Sequence, residues 1–265
     1  MTSKYATPAL EKGLDILELL AQSRRPMNHS EIAEACGRSK NELFRMVVTL
    51  QERGYIEKES GSDGFVLTDR LFRLGLGVRH VRSLTDCATP RLVDLAQRTS
   101  QSAHLVVVRG GRTAIVASFS GGSDMYVTLK LGFWRIAADS TSGQIIMAFQ
   151  SEDLRDRMLD ESVALLDTPP DRDALLAKLE RLHQVGFERH DSRDFVGVSD
   201  ICCPILDHTG SAIAAVIVSF VNRHGARTGQ DDIVYELSAC CAEISRDLGA
   251  PKEVLRIVPR GSLGA

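Results

Sequence analysis

The sequence has no run of 18 apolar residues, so no part of it is long enough to cross a bilayer as a helix. Its opening residues, MTSKYATPALEK, lack the apolar core of a secretory signal, and the expected location is the cytoplasm. Positive charge is not in excess: 32 Lys and Arg against 35 Asp and Glu leave a formal net charge of -3. No overall basic field draws the chain to nucleic acid, so any such contact must come from a local patch. The six cysteines, Cys36, Cys87, Cys202, Cys203, Cys240 and Cys241, show neither CxxC spacing nor the ladder of a disulfide scaffold. Buried, inert thiols are the expected state, with a redox sensor as the alternative. Catalytic signatures are missing too: there is no GxSxG elbow, no HExxH, no GxxxxGKS/T phosphate loop and no dinucleotide fingerprint. A triad of Ser142, His190 and Asp200 can be written down, but nothing in the sequence fixes its geometry. His104, His190, Asp200 and Cys202 do not show metal-ligand spacing. The expectation is a protein that is not an enzyme and needs neither cofactor nor metal.

What the sequence does contain is organised around 28–54, NHSEIAEACGRSKNELFRMVVTLQERG. Asn28 with Glu31, and Ser39 with Glu42, are N-cap signatures three residues apart. Gly37 lies between them and can take the left-handed conformation that ends a helix. Behind the second cap, Leu43, Val47 and Leu50 recur at helical spacing, with Phe44 and Val48 widening the stripe. Short helix, glycine turn and longer helix make a helix-turn-helix, at about 29–48. The second helix opens with Lys40, Asn41, Glu42 and Arg45, side chains able to touch base edges and phosphates. An ordinary helical hairpin with a solvated polar face is the competing reading. Within 38–45, three basic side chains oppose one acid; over 1–70, ten basic side chains oppose eleven acidic ones. The basic patch is narrow, so binding would rely on several copies of the domain and on base contacts.

The chain has 265 residues, enough for two domains. Thr7-Pro8 caps and opens a first helix, with Leu10, Leu14, Leu17, Leu20 and Ile16 as its buried stripe. Strands at 54–58 and 64–68, joined by Ser60-Gly61-Ser62-Asp63-Gly64, complete a winged helix-turn-helix over 6–68. Leu71, Leu74, Val78 and Val81 are spaced like a coiled-coil seam and predict a linker helix over 69–84. It would pack between subunits or lie on its own domain. From 85 to 250 the pattern is α+β, an antiparallel sheet with helices outside. Helices are predicted over 90–98, 140–149, 151–159, 172–185 and 230–248, and strands over 103–108, 112–118, 126–131, 199–206 and 211–220. The tail over 251–265 ends in IVPRGSLGA, which resembles a protease-site remnant, and 257–265 is set aside from the fold.

Three blocks, EIAEACGRSKNELFRMVVTLQERGYIEKE, GFWRIAADSTSGQIIMAF and HQVGFERHDSRDFVGVSDICCPILDHTGSAIAAVIVSF, resemble the IclR family of bacterial transcriptional regulators over residues 6 to about 250. The resemblance implies a winged helix-turn-helix head, a linker helix and a GAF-like effector-binding domain. It implies a homodimer or homotetramer on double-stranded operator DNA, and a small organic, aromatic or sugar-derived acid as effector. Repression of a catabolic operon is the expected role, with activation, or a small-molecule-binding protein without DNA, as alternatives. By position, DNA contacts fall on Arg38, Lys40, Asn41, Glu42, Arg45 and Lys58. Glu42 competes with its own role as cap partner of Ser39. Effector contacts fall on Trp134, Thr141, Ser142, Gly143, His190, Asp200, Cys202 and Ser219. His190 stands where relatives carry aspartate, and Asp200 where they carry cysteine. Such a pair suits a ligand with hydroxyl or amine donors.

Overall fold

The computed structural model describes residues 7–23, 25–76, 79–121, 126–192, 196–221 and 229–259. They fall into two compact units, 1–78 and 79–265.

In the first unit, α1 (Pro8–Gln22), α2 (His29–Ala35) and α3 (Lys40–Glu52) are followed by β1 (Ile56–Lys58), β2 (Phe65–Leu67) and α4 (Arg70–Leu76). The Asn28 side chain accepts from the N–H groups of Ser30 and Glu31 at 2.9 and 3.1 Å, and the Glu31 carboxylate accepts from Asn28 N–H at 2.8 Å. This reciprocal cap fixes where α2 begins. Gly37 has φ +62°, and the Arg38 N–H returns to the Ala33 carbonyl, so the expected glycine stop ends α2. Ile16, Leu20, Ile32, Ala33, Leu43, Val47, Ile56 and Phe65 form the core. β1 and β2 pair antiparallel, Glu57 opposite Val66, as the expected hairpin.

Two expected stripes are rotated. Leu10 and Leu14 are 61% and 47% exposed, and α1 is anchored by Ile16 and Leu20 instead. Phe44 is 58% exposed rather than buried beside Leu43. The linker seam cannot be followed whole, because Val78 and the side chain of Val81 lie outside the described residues.

In the second unit, α5 (Arg79–Thr99), β3 (Ser102–Arg109), β4 (Arg112–Phe119), β5 (Trp134–Ile136), α6 (Thr141–Ala148), α7 (Glu152–Val163), α8 (Arg172–Val185), β6 (Glu188–Asp191), β7 (Val198–Leu206), β8 (Ala212–Val221) and α9 (Gln230–Asp247) follow in order. The strands form one antiparallel sheet ordered β5-β4-β3-β8-β7-β6. Strand alternation divides its side chains between two layers of helices. Cys202, Ala215 and Ile217 join Ile145, Met147, Leu159 and Leu179 from α6, α7 and α8 in one core. On α9, Ile233, Leu237, Cys241 and Ile244 are buried, Cys241 Sγ lies 3.9 Å from the Cys203 carbonyl, and Ser245 Oγ accepts from Leu206 N–H.

The helix expected to start at Pro90 starts at Arg79 and carries Pro90 inside it. Leu84, Ala88, Leu92, Leu95 and Ala96 are all buried, and that packing outweighs the hydrogen bond the proline removes. No strand forms over the described residues 126–131; the edge strand is β5. The tail is not wholly set apart either: Val258 N–H donates to Ser238 Oγ at 3.0 Å.

The caps give a direct test. Asn28→Ala should cost about 1 kcal/mol in urea denaturation. Thr7→Ala should cost under about 0.5 kcal/mol, because Thr7 makes no side-chain cap bond. Equal costs would contradict the capping geometry.

Candidate functional site

Two places carry the polar side chains singled out by the sequence. The first is α3. Leu43 and Val47 are buried, which turns Asn41, Phe44 and Arg45 outward at i, i+3 and i+4, with the half-buried Val48 at i+7 beside them. Lys40, Asn41 and Arg45 are exposed. Glu42 behaves differently. Its N–H donates to Ser39 Oγ at 3.3 Å. Its carboxylate accepts from Lys12 Nζ of α1 at 2.6 Å and from Arg38 at 3.3 Å. The Lys12 hydrogen bond holds the Glu42 carboxyl below its usual range. Glu42 thus links α1 to α3 while its N–H keeps the bond to the Ser39 cap. Arg38 is partly engaged by the same acid. On the wing, Lys58 Nζ lies 3.7 Å from Asp63 and 5.9 Å from the centre of the Phe65 ring.

The second place is a cavity of about 70 Å³ in the second unit, between α6, the ends of β6, β7 and β8, and the segment before β5. Thr141, Ser142, His190, Asp200 and Ser219 line it together. Register explains the convergence: His190 stands opposite Asp200, and Asp200 opposite Ser219. Ser219 Oγ donates to Asp200 Oδ1 at 2.8 Å, and Thr141 Oγ1 lies 3.0 Å from His190 Nε2. His190 Nδ1 is buried without a hydrogen-bond partner among the described residues. Because His190 pairs with Thr141 and Asp200 with Ser219, the triad imagined from the sequence is not assembled. No group of three or more His, Cys, Asp or Glu among the described residues could hold a metal ion.

Three expected effector residues stand elsewhere. Trp134 is 54% exposed, under the Arg112 guanidinium at 4.9 Å, and does not line the cavity. Cys202 is fully buried in the core, where desolvation pushes its thiol well above the usual range. Gly143 is buried, and its N–H is already satisfied by Ser140 Oγ at 3.1 Å, so it is not offered to an anion. Its own reason is packing. A Cβ there would lie 2.3 Å from the Ala137 carbonyl oxygen. Phe133, expected from the sequence to cover a ligand with Trp134, does line the wall, while sequence reading missed Arg135 and Asp139. The signal was alternation on β5, which sets Phe133 and Arg135 apart from Trp134. It was obscured by placing the edge strand at 126–131.

His104 holds the opposite wall. It is fully buried on β3, and its Nε2 accepts the N–H of Leu129 at 3.0 Å; Leu129 lines the cavity. Only a neutral imidazole has that acceptor. Burial pushes its pKa down to about 4, and the Ile217 backbone only partly opposes this. A wider groove of about 660 Å³ beside α7 contains none of the predicted residues.

Comparison with known proteins places both units. Residues 9–60 match the IclR helix-turn-helix domain, and residues 77–246, more than half the chain, match the bacterial transcriptional regulator IclR C-terminal domain. The glycerol operon regulatory protein of Streptomyces coelicolor is 26% identical, over 91% of this chain and 96% of its own. The HTH-type transcriptional regulator XynR of Escherichia coli is 24% identical, over 92% and 98%. Among solved structures, a Rhodococcus transcriptional regulator superposes with a TM-score of 0.71 at 24% identity, covering 92% of this chain and 98% of that one. An IclR homologue from Microbacterium hydrocarbonoxydans, crystallised with 4-hydroxybenzoate, superposes with a TM-score of 0.68 at 20% identity, over 91% and 98%.

His104 yields a pH prediction. Above its ordinary value of 6.5 the ring is neutral in both folded and unfolded chains. As pH falls from 6.5 towards 4 the unfolded chain takes the proton and the folded chain refuses it, so stability drops. Below the folded value the loss is complete. It should amount to about 3 kcal/mol, at about 1.4 kcal/mol per pH unit. Chemical denaturation from pH 7 to pH 4 should show this slope in the parent and lack it in His104→Gln. The same slope in both would exclude His104 as its source.

Proposed function

This chain belongs to the IclR family of bacterial transcriptional regulators, and from that premise we propose that it represses a catabolic operon and is relieved by a compact organic acid. It is a DNA-binding regulator. The finer reading rests on one observation: a chain with an outward polar stripe on α3 also carries a cavity where Thr141, Ser142, His190, Asp200 and Ser219 converge.

On the DNA side, Asn41 reads an adenine edge, and Lys40, Arg45, Arg38 and Lys58 meet phosphates. Glu42 stays out of the groove, held by Lys12. The chain acts in the cytoplasm as a homodimer or homotetramer, because the small basic patch of one head needs repetition to hold an operator.

On the effector side, the Asp200 carboxylate and the buried His190 Nδ1 favour a ligand that brings hydroxyl or amine groups. Arg135 on the same wall suits its carboxylate. A hydroxylated aromatic acid or a sugar-derived acid meets both conditions, and the relative crystallised with 4-hydroxybenzoate is consistent with the former. The small cavity favours a compact molecule over a nucleotide. Gating requires that the effector favour one state of the protein over another, with a coupling of about 1–3 kcal/mol.

The test combines three measurements. Deleting the gene should raise transcription of its target operon; a fall would contradict repression. A thermal-shift screen of hydroxylated aromatic and sugar acids should find a stabilising ligand, worth about 2.7 kcal/mol at a hundred times its Kd. Asp200→Asn should abolish that stabilisation while leaving operator affinity without ligand intact. Asn41→Ala should cost about 1–3 kcal/mol at one base position, whereas Arg45→Ala should weaken all sequences alike. Gel shifts on single-base operator variants separate the two patterns, and an even loss from Asn41→Ala would remove it from base reading.

A further inference from the structure

One side chain on α3 fits neither the core nor a solvated face. Phe44 lies in the middle of the outward stripe, between Asn41 and Arg45 in the first turns and the half-buried Val48 in the next. It is 58% exposed, while Leu43 and Val47 beside it are 1% and 4% exposed and already fix the helix to its unit. The core therefore does not explain Phe44. The ring is also held in place. His29, the first residue of the capped α2, meets it edge to face with ring centres 5.8 Å apart. Such a contact orients an aromatic ring without hiding its outer side.

The surroundings select the occupant. Lys40 and Arg45 flank the ring, and the one acid in this part of the helix, Glu42, is drawn to Lys12 instead. The stripe from Asn41 to Val48 carries positive charge, one amide and an apolar centre. That set complements the major groove, where phosphates border base edges. Among the groups those edges present, only thymine offers an apolar one, its C5-methyl. We propose that Phe44 is a specificity-determining residue that reads a thymine methyl in the operator, beside the base read by Asn41. The inference deepens the DNA-binding reading and rests on it.

Deoxyuridine supplies the test, since it differs from thymidine only by that methyl. Full-length protein would first select duplexes from a random library. Each thymine of the selected site would then be replaced singly by deoxyuridine, and affinity measured by anisotropy. At one thymine per half-site the parent should lose about fourfold, the scale of one buried methyl group. Phe44→Ala should bind the thymine duplex more weakly and show no penalty at that position. Phe44→Leu, which keeps an apolar surface, should retain part of it. Because Phe44 is exposed, both variants should keep the parent's melting temperature. Indifference of the parent to deoxyuridine at every thymine overturns the proposal, as does an unchanged penalty in Phe44→Ala. A Phe44→Ala variant that loses self-association in sedimentation and keeps the penalty places Phe44 at a contact between copies and also overturns it. Failure of the folded parent to select any duplex overturns the DNA-binding reading itself, a result distinct from binding without methyl sensitivity.

Discussion

Burial of Leu43 and Val47 is the constraint on which the DNA-facing half depends. These two side chains press α3 into the core formed with Ile16, Leu20 and Ile32. An α-helix has one phase, so anchoring that stripe turns Asn41, Phe44 and Arg45 to the other side. The Asn28–Glu31 cap and the left-handed Gly37 set where α2 begins and ends. The bond from Glu42 to Lys12 then joins α3 to α1 and removes the only acid from the first turns of the exposed stripe. Charge selection here is local. A chain with a net charge of -3 presents a cationic helix face where its one nearby carboxylate is paired with Lys12 and Arg38.

The second unit is built on a different rule. Its cavity depends on strand register, which places His190, Asp200 and Ser219 side by side across three strands. A slip of one residue in any of these strands would send its member of the trio to the opposite face. Gly143 completes the arrangement by letting α6 lie against the backbone at Ala137, so Thr141 can reach His190. His104 fixes the far wall through Leu129, at the cost of remaining neutral. The polar groups of the cavity mostly satisfy one another. His190 Nδ1 is buried there without a partner among the described residues, and a ligand donor or acceptor would satisfy it.

Much of this was legible in the sequence where periodicity and punctuation agree. The bounds of α8 coincide with the expected 172–185, because Asp171 caps its start and Gly186, at φ +86°, ends it. The caps at Asn28 and Ser39 and the hairpin 103–118 are equally local features. The misses share a cause, which is that tertiary packing chose between alternatives the local pattern allowed. Leu10 and Leu14 fit a helical stripe as well as Ile16 and Leu20 do, and only the core decides. Pro90 reads as a helix start until a helix on either side of it is packed. Of the expected effector residues, Thr141, Ser142, His190, Asp200 and Ser219 meet at one cavity. Trp134 is set apart by alternation on β5, Cys202 shares the face of Asp200 but sits in the core, and the Gly143 amide is already used. The partner of Glu42 could not be read at all, since Lys12 lies thirty residues away in sequence and only the helix packing brings them to 2.6 Å.

The central claim is that the face of α3 opposite Leu43 and Val47 stands in the major groove of a duplex. A crystal structure of the full chain on a duplex it selects tests this most directly. Asn41, Phe44 and Arg45 should lie within contact distance of base edges and phosphates, with Glu42 still bonded to Lys12. A complex in which that face points to solvent or to another protein subunit, with the duplex held elsewhere, would contradict the account.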